Sequence, residues 1–144
     1  MESSNSEDLD CFENLDIKQL IGNIVFISGP MFAGKSDKIL NLAEQFESVE
    51  AFKPACHIRD GKTISSRTGK QIPCKLVQDI RESKESDRQA IIIDESQFIE
   101  CNQLIETLDF FKKEKRTLII AGLRKKNKLE YWPNYKILKK RVIY

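Results

Sequence analysis

The apolar residues of this chain fall into short blocks with two different spacings. Three blocks are apolar or β-branched runs, as expected for buried parallel strands: residues 23–28 (NIVFIS), 90–94 (AIIID) and 117–122 (TLIIAG). Two segments repeat apolar side chains at helical spacing: Ile39, Leu42, Ala43 and Phe46, then Cys101, Leu104, Ile105 and Leu108. Strands alternating with helices predict an α/β fold, a mostly parallel sheet flanked by helices, with its ligand site at the carboxyl ends of the strands.

The remaining segments have less regular patterns. Residues 49–53 (VEAFK) predict a second strand, which Pro54 ends. Turn signals at residues 60–61 (DG) and 68–69 (TG) predict a flexible hairpin or loop around residues 58–73. Residues 76–84 suit a short helix up to Lys84, and the last residues, 139–144, suit a final short strand.

The length of 144 residues suits one folded domain, preceded by an acidic tail. We expect residues 1–20 to be a disordered tail and residues 21–144 to form the domain. The net charge of +2 hides an asymmetry, because residues 1–22 carry six acidic side chains against Lys18 alone. The rest of the chain is therefore basic, which fits a protein that handles phosphorylated anions but does not by itself require one.

Cysteine spacing and hydropathy limit the cellular setting. The cysteines at positions 11, 56, 74 and 101 form no C-x-x-C pair, which argues against a zinc ribbon or a disulfide framework and favours reduced thiols. We find no secretory leader and no apolar run long enough to cross a bilayer. We expect a cytoplasmic protein without a membrane partner, while a nuclear or organellar address stays open.

Residues 29–36 (GPMFAGKS) match the phosphate-binding pattern G-x-x-x-x-G-K-[ST] without a substitution. The predicted strand before it and helix after it are the flanks that this P-loop pattern requires. Gly29 and Gly34 would let backbone N–H groups turn inward around a phosphate chain. Lys35 would reach the β- and γ-phosphates, and the Ser36 hydroxyl would be a Mg²⁺ ligand. The alternative is an ordinary strand-to-helix turn with an exposed lysine.

Asp94 and Glu95 end the apolar run of residues 90–94 and form a Walker B arrangement. Asp94 would hold Mg²⁺ directly or through water, and Glu95 would accept a proton from an attacking hydroxyl or water. The alternative is a solvated pair of acids at a strand end.

Together these segments resemble the type II thymidine kinases, deoxynucleoside kinases with a RecA-like P-loop core. Residues 29–36 are similar to that family's G-P-M-F-S-G-K-[ST], and residues 93–98 (IDESQF) are similar to its I-D-E-x-Q-F. Residues 53–55 (KPA) with Arg59, residues 66–69 (SRTG) and residues 121–123 (AGL) match further family segments. The resemblance covers about residues 23 to 123.

The resemblance implies Mg²⁺-dependent transfer of the ATP γ-phosphoryl group to the 5′-hydroxyl of thymidine or a related deoxynucleoside. Glu95 would be the base, assisted by Lys35 and by Arg59, for which an exposed loop arginine is the alternative. The implied ATP and phosphate contacts are Gly29, Pro30, Met31, Phe32, Ala33, Gly34, Lys35, Ser36, Asp94 and Gln97, with Ser36 and Asp94 on the metal. The implied nucleoside pocket is Met31, Phe98 and Leu123, apolar walls that suit a planar base.

The chain departs from the family pattern in three places. His57 stands where the family has an aspartate, and residues 124–127 (RKKN) stand where it has D-x-x-F. Tyr131, Trp132 and Tyr135 either substitute for that aromatic wall or pack in the core, which we favour. The family's C-terminal zinc-binding segment, which carries the lid, has no counterpart here, so we expect no zinc.

Two functions remain open at this stage, and a third is not favoured. The first is a shortened deoxynucleoside kinase; the second is a degenerate relative that binds nucleotide as a sensor or assembly subunit. A nucleic-acid-associated ATPase is the third, but the basic runs at 112–116 and 124–126 lack interleaved aromatic residues. The resemblance also allows a homo-oligomer, because the family forms tetramers, and residues 129–144 are apolar enough either to join an interface or to pack on the core.

Overall fold

The computed structural model describes residues 17–29, 34–55, 63–65 and 69–141. Among these residues a six-stranded sheet has the order β1-β6-β5-β2-β4-β3, in which the first five strands are parallel and β3 is antiparallel to β4. The strands are β1 (Ile24–Ser28), β2 (Val49–Pro54), β3 (Thr63–Ser65), β4 (Gln71–Val77), β5 (Ala90–Ile93) and β6 (Thr117–Gly122). The predicted α/β fold with a mostly parallel sheet is confirmed.

Helices cover both faces of the sheet. They are α1 (Ile17–Leu20), α2 (Lys35–Ala43), α3 (Cys101–Lys113) and α4 (Pro133–Arg141), with 3₁₀ helices at Ile80–Glu85 and Ser96–Phe98. Strand residues alternate between the faces, so Val25 and Ile27 pack with α2 while Phe26 packs with α3 and α4. Every residue of β5 and β6 is buried, because helices cover both faces of these central strands.

The short helix α1 belongs to the folded domain. Leu20 is fully buried and belongs to the same core cluster as Val25 and Ile27, so the packed structure begins within the segment predicted as a tail. Residues 1–16 lie outside the described residues.

Two local predictions were wrong. Leu76 and Val77 belong to β4 rather than to a helix, because they pair in parallel with Lys53 and Pro54 of β2. Only after this strand does Asp79 cap the 3₁₀ helix Ile80–Glu85, by accepting a hydrogen bond from the Arg81 N–H at 2.9 Å. Pairing with a neighbouring strand therefore outweighed the local helical pattern.

The predicted final strand is the second error. Residues 133–141 form helix α4, which begins at Pro133, a residue whose fixed φ suits the first helical turn. Leu138 on this helix is buried in the core cluster that contains Phe26. Residues 142–144 lie outside the described residues.

The remaining predicted strands and helices are present, although β2 includes Pro54, and residues 56–62 and 66–68 of the predicted hairpin region lie outside the described residues. The hairpin is present as β3 and β4, with Ile64 opposite Ile72, and the sulfhydryls of Cys74 and Cys101 are free. No helix in the described part of the chain combines the length and hydropathy that a membrane span needs. Because β1, β6 and β5 are adjacent and parallel, the segments that follow them meet at one edge of the sheet.

Candidate active site

A hydrogen bond from Lys35 connects the two ends of the segment that matches the phosphate-binding pattern. Lys35 is the first residue of α2, and its Nζ donates a hydrogen bond to the Gly29 carbonyl at 3.0 Å. Gly34, just before the helix, has φ 81°, a left-handed conformation that glycine adopts without strain. The half-buried Ser36 follows Lys35 in the first turn. A helix N-terminus bearing a lysine and a hydroxyl is suited to an anion.

The carboxylate pair lies where β5 ends. The Asp94 N–H donates to the Phe52 carbonyl at 3.0 Å, which extends the β2–β5 pairing by one residue. The Glu95 N–H then donates to Asp94 Oδ1 at 2.8 Å. Burial, and next the negative charge of Glu95, raise the pKa of Asp94, while that hydrogen bond, Lys53 and Lys35 act in the opposite direction.

Lys35 and the two carboxylates share one electrostatic environment. Burial lowers the pKa of Lys35, and the charges of Asp94 and Glu95 oppose that change. The structure therefore places Lys35, Asp94 and Glu95 at the same edge of the sheet, after β1 and β5, as their positions in the sequence predict.

Lys53 is a residue of this site to which sequence reasoning assigned no role. It lies on β2, is only 7% exposed, and its Nζ donates to the Thr63 carbonyl on β3 at 2.9 Å. Its charge lowers the pKa of Asp94 against the effect of burial. The sequence contains one signal of this role: Lys53 follows Phe52 inside a predicted strand. A lysine that is buried in a strand usually has a charged or polar partner, because buried lysines are otherwise rare.

A chain of hydrogen bonds links Glu95 to the end of β6. Gln97 Nε2 donates to Glu95 Oε1 at 3.3 Å, and Gln97 Oε1 accepts from the Leu123 N–H at 3.1 Å. Glu95 itself has φ 57° and ψ 40°, a conformation that costs a non-glycine residue about 1–2 kcal/mol. Strain of this kind is common at functional sites, where surrounding contacts hold it in place.

Gly122 leaves the space in which this chain of contacts fits. A Cβ at this position would lie 2.8 Å from Gln97 Oε1 and 3.1 Å from the Ser96 N, and closer still to the Ser96 hydroxyl. The requirement is for space next to the 3₁₀ helix Ser96–Phe98.

We therefore expect Gly122→Ala to destabilise the fold by about 1–3 kcal/mol through overpacking. Because the methyl group would displace Gln97, the affinity for ATP should also fall. Thermal unfolding measures the first effect and ATP titration the second. Adding Ser96→Ala removes the nearest clashing atom and should restore part of the stability; an unchanged melting temperature in Gly122→Ala alone would contradict the packing described here.

Aromatic side chains meet beside the 3₁₀ helix. Phe98 contacts Trp132 edge to face, with ring centroids 5.6 Å apart. Tyr135 packs near Phe26 and stacks on Tyr131, which is 46% exposed. Core packing, which we favoured for these aromatics, thus describes Tyr135, whereas Trp132 lies against a predicted pocket residue.

The basic loop that replaces the family's D-x-x-F is partly ordered by these rings. Lys125 Nζ lies 5.2 Å from the centre of Tyr131 and Lys126 Nζ lies 5.2 Å from the centre of Trp132. The backbone N–H of Trp132 donates to the Arg124 carbonyl at 2.8 Å, which closes a short hairpin-like loop.

Several predicted site residues cannot be placed. Pro30, Met31, Phe32 and Ala33 of the loop lie outside the described residues, as does Arg59; their roles stay predictions. His57 and residues 66–68 also lie outside. Within the described residues, no group of three or more His, Cys, Asp or Glu side chains is arranged to hold a metal ion.

Comparison with known proteins identifies similar sequences over most of the chain. The family model described as thymidine kinase matches residues 22–139. A thymidine kinase of Ureaplasma parvum serovar 3 is 32% identical over 122 residues, covering 76% of this chain and 54% of the relative. One from African swine fever virus (isolate Pig/Kenya/KEN-50/1950) is 34% identical over 112 residues, covering 71% of this chain and 58% of the relative. The chain thus spans little more than half the length of these relatives.

A structural match is more distant. A chain from a structure of two coordinating Pif1 helicases at forked dsDNA aligns with 97% of this chain and 38% of its own length, at 13% identity and a TM-score of 0.42. A likeness at that level bears on neither the fold nor the function.

Proposed function

This chain belongs to the thymidine kinase family, and we propose that it transfers the γ-phosphoryl group of ATP to the 5′-hydroxyl of thymidine or a related deoxynucleoside. The proposal rests chiefly on one observation: Lys35 begins the helix after β1, and Asp94 and Glu95 follow β5, so all three residues lie at the carboxyl edge of the sheet. A P-loop lysine beside two acids is the arrangement that phosphoryl transfer needs, since this reaction depends on positioning and charge rather than on covalent chemistry.

The oxygen donors at this edge suit Mg²⁺. Magnesium favours hard oxygen ligands and is usually held by one or two carboxylates, substrate phosphates and water, so a larger cluster of acids is not required. Asp94, aided by the Ser36 hydroxyl, is the proposed protein ligand. When bound, the ion would neutralise charge on the β- and γ-phosphates.

Lys35 and Glu95 carry the remaining proposed roles. On binding ATP, Lys35 Nζ would exchange its contact with the Gly29 carbonyl for phosphate oxygens. Glu95 would accept the proton of the 5′-hydroxyl as the new P–O bond forms and the bond from the γ-phosphorus to the bridging oxygen of ADP breaks, and Gln97 would orient Glu95 through the hydrogen bond to Oε1. Arg59 would add positive charge as the phosphoryl group moves.

The base would lie among apolar side chains. We assign this role to Phe98 and Leu123, with Met31 from the loop, as the family resemblance implies. Trp132 extends the aromatic surface next to Phe98. Stacking and apolar contact would then hold the pyrimidine ring. A cytoplasmic location and a homo-oligomer remain our expectations for the whole protein.

The test is a product assay. Purified protein is incubated with Mg-ATP and a panel of deoxynucleosides, and monophosphates are separated by chromatography. We expect product from thymidine or deoxyuridine. Measurable ATP binding without a monophosphate from any member of the panel would overturn the proposal and favour a nucleotide-binding subunit without kinase activity.

A further inference from the structure

A buried amide on the C-terminal helix holds the turn that follows Glu95. Asn134 is the second residue of α4 and is only 2% exposed. Its Nδ2 donates two hydrogen bonds, to the carbonyls of Ser96 and Ile99, both at 2.7 Å. Its Oδ1 accepts a hydrogen bond from the Cys101 thiol at 3.2 Å. The amide nitrogen thus binds two carbonyls of one turn, and the amide oxygen binds a thiol at the start of α3.

The turn that Asn134 spans carries the proposed catalytic machinery. Its internal backbone hydrogen bonds are short-range, from the Phe98 N–H to the Glu95 carbonyl and from the Ile99 N–H to the Ser96 carbonyl, both 3.1 Å. Glu95, at its start, has the left-handed conformation described above, which persists only where neighbouring contacts enforce it. Asn134 supplies such contacts from a different element.

We propose that Asn134 is a positioning residue for Glu95, Gln97 and Phe98. It acts through the backbone of residues 96–99 and touches neither ATP nor nucleoside. The inference rests on the proposed function for its kinetic consequence, but its structural consequence does not depend on it. Without the two donors, the turn keeps its internal bonds and the hydrogen bond between Gln97 and Leu123 but loses its attachment to α4, so the strained Glu95 backbone relaxes and its carboxylate shifts.

The alternative is that Asn134 only stabilises the fold. Ser83 offers a matched control, because it is also fully buried and its hydroxyl donates to a backbone carbonyl, that of Ile80, at 2.7 Å. Ser83 lies on a different element, the 3₁₀ helix Ile80–Glu85, and its hydrogen bond to Ile80 reaches none of residues 95–99. Asn134→Ala removes three hydrogen bonds and Ser83→Ala removes one, so the two variants are compared at denaturant concentrations that give them the same free energy of unfolding.

The experiment compares amide hydrogen exchange and kinetics in both variants. We expect Asn134→Ala to speed exchange at Phe98 and Ile99 at least tenfold relative to Ser83→Ala, and to lower kcat at least tenfold with little change in the ATP dissociation constant. Equal exchange and equal kcat in the two variants would overturn the proposal. Faster exchange in Asn134→Ala, set against a wild type that proves inactive, would support the positioning role while refuting the kinase assignment.

Two further variants cover poor folding and indirect effects. Should Asn134→Ala fail to fold, Cys101→Ala removes only the hydrogen bond to Oδ1 and should give a smaller change in the same direction. Cys101→Ser keeps a donor and should restore wild-type exchange. The single tryptophan, Trp132, lies against Phe98, so its fluorescence provides an independent signal that should shift in Asn134→Ala and not in Ser83→Ala.

Discussion

Replacing Glu95 by glutamine is expected to lower kcat for nucleoside phosphorylation by about 10²–10⁴-fold, the usual contribution of a general base. Glutamine keeps the size of the side chain and a hydrogen-bonding oxygen for Gln97, but it cannot accept the proton of the 5′-hydroxyl. ATP binding should remain, because the glycines and Lys35 of the phosphate loop are unchanged. Steady-state kinetics with thymidine and calorimetric ATP titration measure the two quantities separately.

Glu114→Gln is the matched control for this variant. Glu114 is an exposed acid at the end of α3, so the same chemical change there should leave kcat and ATP binding unaltered. A Glu95→Gln protein with wild-type turnover would remove Glu95 from the role of base. Loss of ATP binding together with turnover would instead indicate that the substitution disturbs the whole loop.

Replacing Asp94 by asparagine is expected to stabilise the ligand-free fold while abolishing activity. Because the pKa of Asp94 is raised in the folded state, its favourable contribution to folding is present at low pH and is lost as the pH rises through that raised pKa. At neutral pH this contribution is reduced, so the buried acid costs stability relative to a neutral side chain of the same shape. Asparagine removes this cost, so we expect a higher melting temperature for the ligand-free protein.

The loss of activity has a separate cause. The asparagine side chain would present one neutral oxygen in place of a carboxylate, so the proposed Mg²⁺ ligand is weakened and turnover should fall by about 10²-fold or more. Thermal unfolding in EDTA at pH 5 and pH 8 tests the stability change, which should be larger at pH 8. Asp87→Asn, a change at an exposed acid, should alter neither quantity. A destabilised or fully active Asp94→Asn protein would contradict the burial described for Asp94.

The sequence alone was sufficient to predict the central strands and the sheet edge at which Lys35, Asp94 and Glu95 lie. The runs that form β1, β5 and β6 are apolar at nearly every position because both faces of these strands are buried. Such runs predict buried strands from the sequence alone. The P-loop pattern and the acids that end the run of residues 90–94 are local features too. Parallel strands then bring their carboxyl ends to one edge, which is why Lys35, Asp94 and Glu95 could be predicted to meet.

Local pattern failed where a distant partner decided the structure. Residues 76–84 have a helical spacing, but Leu76 and Val77 extend β4 because β2 offers an unpaired edge beside them. The terminal residues suited a strand in sequence, whereas helix α4 packs Leu138 onto the core cluster around Phe26. Periodicity reports which face of an element is apolar, and it does not report which neighbour is available to pair.

The sequence by itself predicted the proposed phosphate half of the site, since its residues come from one contiguous segment, 29–36, and one strand end. The tertiary structure alone decided the contacts that hold the site in shape: Lys53 beside Asp94, the space that Gly122 leaves for Ser96 and Gln97, and the Asn134 amide on the turn after Glu95. Asn134 and Ser96 are 38 residues apart, and they meet only because α4 folds back over the sheet edge. No local spacing encodes such a contact, because it depends on how separate elements pack rather than on the pattern within either one.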